Sequence, residues 1–398
     1  MRENIDQERV LQKRQTLEHI CLARIEIKIY PSRLLFTTRR LLVKKHLTLG
    51  IVLSLVSASV QGKPTTDQTG TTRSSADVFL SSPSHSFEIE GSALYLQPTG
   101  SNLHYAAEAQ PLPILTPQWK IHEISTDYHF GFDVGIRGIF HESNTNLSLS
   151  WEHFHSSDSA KRTVPPTDMI GPFFEIGPDA SFFQKAHGHA TFHFDQGNLD
   201  YGIYINFGSR LETNVYAGVS VARIAQTVSS KFSSLDGTTT RSLKIPSTYL
   251  GAGPQLGLDF DYRIVNGFHF SGEASASLFV GTQKNHTKYR TVSPALAGLG
   301  IAVNHQKTSV HKKTQVVPAL EGKLGLSYFY TTCNFMFKIE AGYQAQVYFS
   351  AIQSTNMGSE VLLPPITPNT TGVYARTFEP ETSNFALAGP YLMIDFGF

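Results

Sequence analysis

Residues Gly389–Phe398 read GPYLMIDFGF, with Leu392, Ile394, Phe396 and Phe398 at period two and Asp395 on the opposite face. A soluble chain gains little from an aromatic last residue, whereas this pattern looks like the closing strand of an outer-membrane β-barrel. In that reading Leu392, Ile394, Phe396 and Phe398 form the barrel-assembly signal.

Working inward from that end, the same dyad recurs. Phe130, Phe132, Val134, Ile136 and Phe140 alternate with Gly131, Asp133, Gly135 and Arg137. Leu199, Tyr201, Ile203, Ile205 and Phe207 alternate with Asp200, Gly202, Tyr204 and Asn206. Leu256, Leu258 and Phe260 stand against Gln255, Gly257, Asp259 and Asp261, and Phe337, Ile339, Ala341 and Tyr343 against Lys338, Glu340 and Gln344. Period two is the spacing of strands, not helices. A soluble sandwich alternates in the same way with its apolar face inside; a membrane barrel turns that face to lipid. Strand interiors dense in Gly and Ser pack poorly as a soluble core and suit a crowded lumen.

The expected fold is therefore all-β, a transmembrane antiparallel β-barrel of about ten strands, or twelve or more if the links hide others. The strands are expected near 86–97, 126–140, 146–156, 187–207, 212–232, 241–262, 267–285, 308–330, 335–352 and 385–398. Short turns near 141–145, 208–211, 263–266 and 331–334 alternate with longer links near 98–125, 157–186, 286–307 and 353–384. This asymmetry, with the long loops outside, is expected of an outer-membrane barrel. Aromatic girdles are expected from Trp151, Tyr201, Tyr262, Phe268, Tyr328, Tyr330, Phe335, Tyr343 and Phe349.

Composition agrees: 31 Gly, 27 Phe, 16 Tyr, 5 Met and 16% charged residues in a chain of 398. After residue 62 no apolar run reaches the ~20 residues of a spanning helix. Leu47–Val60 (LTLGIVLSLVSASV), preceded by Arg39, Arg40, Lys44 and Lys45, reads as the core of a secretory signal ending near Gly62. Residues 1–62 would then be an N-terminal extension and signal, 63–85 a flexible Thr/Ser-rich lead-in, and 86–398 the barrel. The first 62 residues hold 11 of the 33 Lys+Arg and 5 of the 32 Asp+Glu, so the remainder has 22 bases and 27 acids. That balance argues against nucleic-acid binding. Cys21 lies in the extension and Cys333 beyond it, so the exported part can form no internal disulfide.

Leu250–Gly281 (LGAGPQLGLDFDYRIVNGFHFSGEASASLFVG), Val316–Ile352 (VVPALEGKLGLSYFYTTCNFMFKIEAGYQAQVYFSAI), Tyr216–Ile224 (YAGVSVARI) and the closing GPYLMIDFGF together resemble the Legionella-type major outer membrane protein family, over about residues 85–398. The resemblance implies an outer-membrane barrel of a Gram-negative-type bacterium, with a porin-like or surface-structural role. It supplies no catalytic residues. A single exported cysteine leaves a disulfide-linked surface network unsupported.

By parity Asp133, Arg137, Glu152, Asp259, Asp261, Glu273, Glu321, Lys323, Lys338 and Glu340 face the lumen. As pore-lining residues, seven acids against three bases would favour cations among small hydrophilic solutes diffusing passively. In so narrow a barrel the same residues can instead pair into an internal network that fills it. The runner-up function is a non-conducting surface protein, an envelope scaffold or a host-binding adhesin working through loops 98–125, 157–186 and 353–384. Expected partners are outer-membrane lipid, the barrel-assembly machinery and small solutes; a host surface ligand and a homo-oligomer stay open.

His153 and His155, with His187, His189 and His193, have spacings that suit Zn²⁺ or Cu²⁺, but alternation sets the first two on the opposite, outward face, and rim histidines are the expectation. Ser148 and Ser150 lie near His153 without a third triad member. No phosphate-binding Gly loop or paired-cysteine motif is present. The reading is of a non-enzyme with no cofactor and no metal.

Overall fold

The computed structural model describes residues 87–100, 102–109, 120–172, 183–265, 267–294, 297, 303–309, 312–331, 335–363 and 373–398. The expected signal segment, the lead-in and Cys333 lie outside the described residues. Ten strands close a ring: β1 (Phe87–Gly100), β4 (His129–Phe140), β5 (Thr145–Thr163), β7 (Lys185–Phe207), β8 (Leu211–Ser233), β9 (Thr240–Val265), β10 (Phe268–Val292), β12 (Lys313–Thr331), β13 (Met336–Leu363) and β14 (Val373–Gly397). Each is antiparallel to the next, and β14 returns to β1 with Ile89 opposite Phe396. Phe87 and Phe398 exchange backbone hydrogen bonds of 3.2 and 3.0 Å, which joins the two ends of the described chain. Closure leaves no sheet edge, the condition for strands to cross a bilayer. No helix of the described residues is long and apolar enough to cross a membrane.

At the end where Phe87 meets Phe398, short connections link β4 to β5, β7 to β8 and β9 to β10, and β12 hands over to β13. Gly267, between β9 and β10, has φ 79°, and a Cβ there would sit 2.8 Å from the Tyr328 ring, so only glycine turns the chain here.

The outer surface of the lower barrel is apolar. Phe130, Leu258, Leu326 and Tyr343 are among the exposed side chains of this belt, and all four residues of the closing pattern face outward with them. Tyr95, Tyr128 and Phe130 cluster toward its upper rim, with Tyr95 5.3 Å from Tyr128 and 4.9 Å from Phe130, while Trp151 meets Phe132 edge-on at 5.3 Å. All nine aromatics expected in the girdles are exposed on the outer face.

The upper barrel inverts that sense. On β7, Leu199, Tyr201, Ile203 and Ile205 face out below, but above them the outward residues are His187, His189, Thr191 and His193. On the inward face Asn198 and Asp200 below give way to Phe192, Phe194 and Ala190 above. In β1, inward Glu88, Glu90 and Ser92 give way to Leu94 and Leu96; in β14, Asp395 gives way to Leu387 and Phe385. On β7 the alternation runs unbroken and only its sense flips, whereas β13 passes through a bulge between Tyr348 and Ile352. Each wall is thus a membrane strand below and a strand of a water-facing sandwich above.

Length makes room for both halves. At ~3.3 Å per residue and ~40° of tilt, the 28 residues of β13 span about 70 Å, against an apolar band of about 25 Å. This corrects the expected loops. Residues 353–384 are mostly the paired ends of β13 and β14, β5 runs on to Thr163, and β10 runs on to Val292. The strand expected from 308 starts at Lys313; β11 (Asn304–Ser309) precedes it and pairs with the top of β10. Within 98–125 and 157–186, β2 (His104–Ala109), β3 (Lys120–Glu123) and β6 (Met169–Gly171) form a small sheet. Tyr105 of β2 packs over Gly188 of β7, where a Cβ would come within 2.4 Å of its ring, so this sheet caps the upper interior.

Candidate functional site

The lower lumen is a polar chamber of about 130 Å³. All ten lumen-facing candidates line it: Asp133, Arg137, Glu152, Asp259, Asp261, Glu273, Glu321, Lys323, Lys338 and Glu340. Lys323 Nζ reaches Glu273 Oε2 at 3.2 Å, Glu321 Oε1 at 3.6 Å and Asp133 Oδ2 at 3.9 Å, tying β12, β10 and β4 together across the space. Lys338 Nζ lies 3.0 Å from Glu340 Oε2 and 3.6 Å from Asp261 Oδ1. Arg137 Nη1 pairs with Glu88 Oε2 at 3.6 Å.

Neutral donors complete the network. The Tyr216 hydroxyl donates to Glu273 at 3.0 Å, Asn214 Nδ2 to Asp259 at 3.1 Å, Gln346 Nε2 to Glu152 at 2.7 Å, and the Tyr391 hydroxyl to Glu340. Tyr216 can lie across the lumen because its cross-strand partner is Gly257; a Cβ at 257 would stand 2.3 Å from the ring.

Parity reasoning missed Glu90, Asp200 and Asp395 as lining residues. Each alternates with outward apolar neighbours, so the signal was in the sequence. With them the chamber wall holds ten acids and three bases. Among the described residues no three or more His, Cys, Asp or Glu side chains are placed so that they could hold a metal ion.

Above the chamber the lumen fills with aromatic side chains. Phe192, Phe194, Phe279, Phe385 and Tyr348 are all at most 2% exposed. Phe194 of β7 and Tyr348 of β13 stand five strands apart around the ring, yet their centroids are 5.4 Å apart. Phe385 stacks on Phe192 at 5.9 Å and lies tilted against Tyr348 at 6.1 Å, and Tyr348 meets Phe279 at 6.0 Å. The Tyr348 hydroxyl donates to Gln346 Oε1 at 3.1 Å and also to Gln196, anchoring the layer to the polar chamber. The layer continues into the cap through Leu103, Tyr105, Ile124 and Ile170 as one apolar core.

The five histidines share one face. His187, His189 and His193 point outward with His153 and His155, not to the opposite side, because β7 runs without a bulge and its odd positions stay with Leu199 and Tyr201. His155 stacks on His193 at 4.2 Å, and His153 Nδ1 meets Asp195 at 2.7 Å. Ser148 and Ser150 line the chamber, on the other side of the wall from His153.

A closed antiparallel ring with an apolar outer belt and a charged interior meets its sequence counterpart over residues 80–398, which match the family of the Legionella pneumophila major outer membrane protein precursor. The chain belongs to that family. Its place is the outer membrane. No curated protein matches the chain. Among solved structures, the outer membrane protease OmpT of Escherichia coli is 11% identical, covering 80% of this chain and 99% of its own, with a TM-score of 0.39. The translocator domain of autotransporter NalP from Neisseria meningitidis is 12% identical over 81% and 92%, TM-score 0.30. The P. putida toluene transporter TodX is 6% identical over 81% and 91%, TM-score 0.25. None of the three carries information on what this chain does.

Proposed function

We propose that this family member is an outer-membrane barrel closed at rest, a structural surface protein that presents the cap and tall outer half of its wall outside the cell and catalyses no reaction. The observation that carries this reading is the contact of Phe194 with Tyr348 across the ring, inside a layer in which every aromatic is buried. A hydrated ion has no path through side chains packed at van der Waals distance, and an apolar constriction excludes water as well.

A second reading, passive diffusion of small hydrophilic solutes with a cation preference, is supported by the chamber itself. Ten acids against three bases make it attractive to cations wherever it opens. The two readings meet in one experiment: protein refolded in detergent is placed in a planar bilayer, as wild type and as Phe194→Ala/Tyr348→Ala. The closed reading expects no steps from wild type and cation-selective steps from the variant. Steady steps from wild type favour the diffusion reading.

A further inference from the structure

Above the apolar belt, the outward face of β5, β7, β8, β9, β10 and β11 is basic. Register sets His189, Ser229, Lys244, Lys288 and Lys307 in one line across five strands. A second line places Lys161 beside His187 and His187 beside Lys231. Asp195 is the single carboxylate on this face among the described residues of these strands, and it is taken by His153 at 2.7 Å and Arg223 at 3.7 Å. Among the described residues no carboxylate comes within ion-pair distance of Lys244, Lys284, Lys288 or Lys307. The crowding is felt locally: burial lowers the pKa of His286, and the charges of Lys288, Lys307 and Lys244 lower it further.

This basic wall is continuous with the lipid-facing surface. Leu250 and Val280 are exposed at the top of the belt on β9 and β10, and the outward positions above them hold Lys244 and Lys284. A lipid whose tails lie on the belt therefore has its headgroup on the cations. Height narrows the choice. From Val280 up to Arg290, β10 rises about 25 Å, while an ordinary phospholipid headgroup layer is only about 5–8 Å thick. A single phosphate at the hydrocarbon boundary leaves Lys288 and Lys307 unserved.

We propose that this wall is a docking surface for an outer-leaflet lipid with a tall headgroup bearing phosphates at more than one height, a phosphorylated glycolipid. Its acyl chains lie against the apolar belt, and the cross-strand lysine line holds the upper phosphates. Opposite charge without internal acid partners is what such a headgroup complements, at roughly fivefold in affinity per cation.

The test uses the full-length protein extracted from outer membranes and folded in detergent, with heat-modifiable migration as the control for folding. Purified bisphosphorylated lipopolysaccharide is titrated, with its dephosphorylated form, phosphatidylglycerol and a sulfated polysaccharide as comparisons. The expected result is saturable binding of the phosphorylated form only, weakened at least tenfold in Lys244→Glu/Lys288→Glu and retained in Lys244→Arg/Lys288→Arg. Should the reversal variant fail to fold, wild-type binding is read at rising salt, where a strong fall is expected. Equal binding of the dephosphorylated form or of phosphatidylglycerol, binding of the polysaccharide alone, or affinity indifferent to both charge reversal and salt would each overturn the proposal.

Discussion

Lys323 shows what a single residue does in the lumen. Its ammonium faces Glu273, Glu321 and Asp133, so the charge that makes burial costly is also what holds three strands in register. Lys323→Met leaves those carboxylates facing one another unpaired. The expected loss is about 3–5 kcal/mol, seen as a lower urea midpoint for the folded barrel in detergent micelles. A midpoint unchanged within error would show that the pairing is dispensable. In the cap, Glu108 accepts from Arg162 Nε at 3.1 Å and lies 2.7 Å from His122 Nε2. The bond from Arg162, reinforced by His122, holds its carboxyl below the usual carboxylate range. A lowered folded value means a contribution present above the unfolded pKa of about 4.3 and lost as pH falls through the folded one. The β2–β3 amides should stay protected from hydrogen exchange at neutral pH and open in acid, and Arg162→Ala should move that opening to higher pH. Protection in acid equal to that at neutral pH would refute the role of the pair.

At the scale of the strand, the inversion within β7 and β9 decides where membrane ends. Leu258→Arg puts a charge in the middle of the apolar belt and should cost about 2–4 kcal/mol in lipid vesicles. The same change at outward Thr227, on the basic upper wall, should cost well under 1 kcal/mol. Equal costs would contradict the boundary. Period-two alternation made the ten strands and their lipid face legible in the sequence, along with the inward parity of the ten charged residues named from it, though Glu90, Asp200 and Asp395 were passed over. It was blind to the upper half, because alternation carries no sign. Phe192 and Phe194 follow Asn198 and Gln196 at unbroken spacing, and only the identity of the outward partners, His193 and Thr191 in place of Leu199 and Tyr201, announces that inside and outside have exchanged chemistry. The same blindness made the strand ends beyond 353 resemble loops, since their sequence, QSTNMGSE and RTFEPETSN, does not alternate apolar with polar residues. It also hid the common face of the five histidines, for which the parity of Leu199 had only to be carried upward along β7.

For the whole molecule, two interiors stacked in one ring define the account: an acid-rich chamber within the membrane, and above it an apolar core continuous with the cap. The chamber gives the lumen its charge, and in the proposed closed state the core takes away its path. Phe192 and Phe385, stacked at 5.9 Å beside Tyr348, are as much a folding core as a barrier, and Phe→Ala at either should cost about 3–5 kcal/mol while loosening the layer. The measurement that tests the closed lumen most directly is single-channel recording of the refolded wild-type barrel in a planar bilayer, with folding confirmed by heat-modifiable migration. The account predicts a silent baseline at moderate voltage; long-lived, uniform, cation-selective steps from the wild-type protein would contradict it.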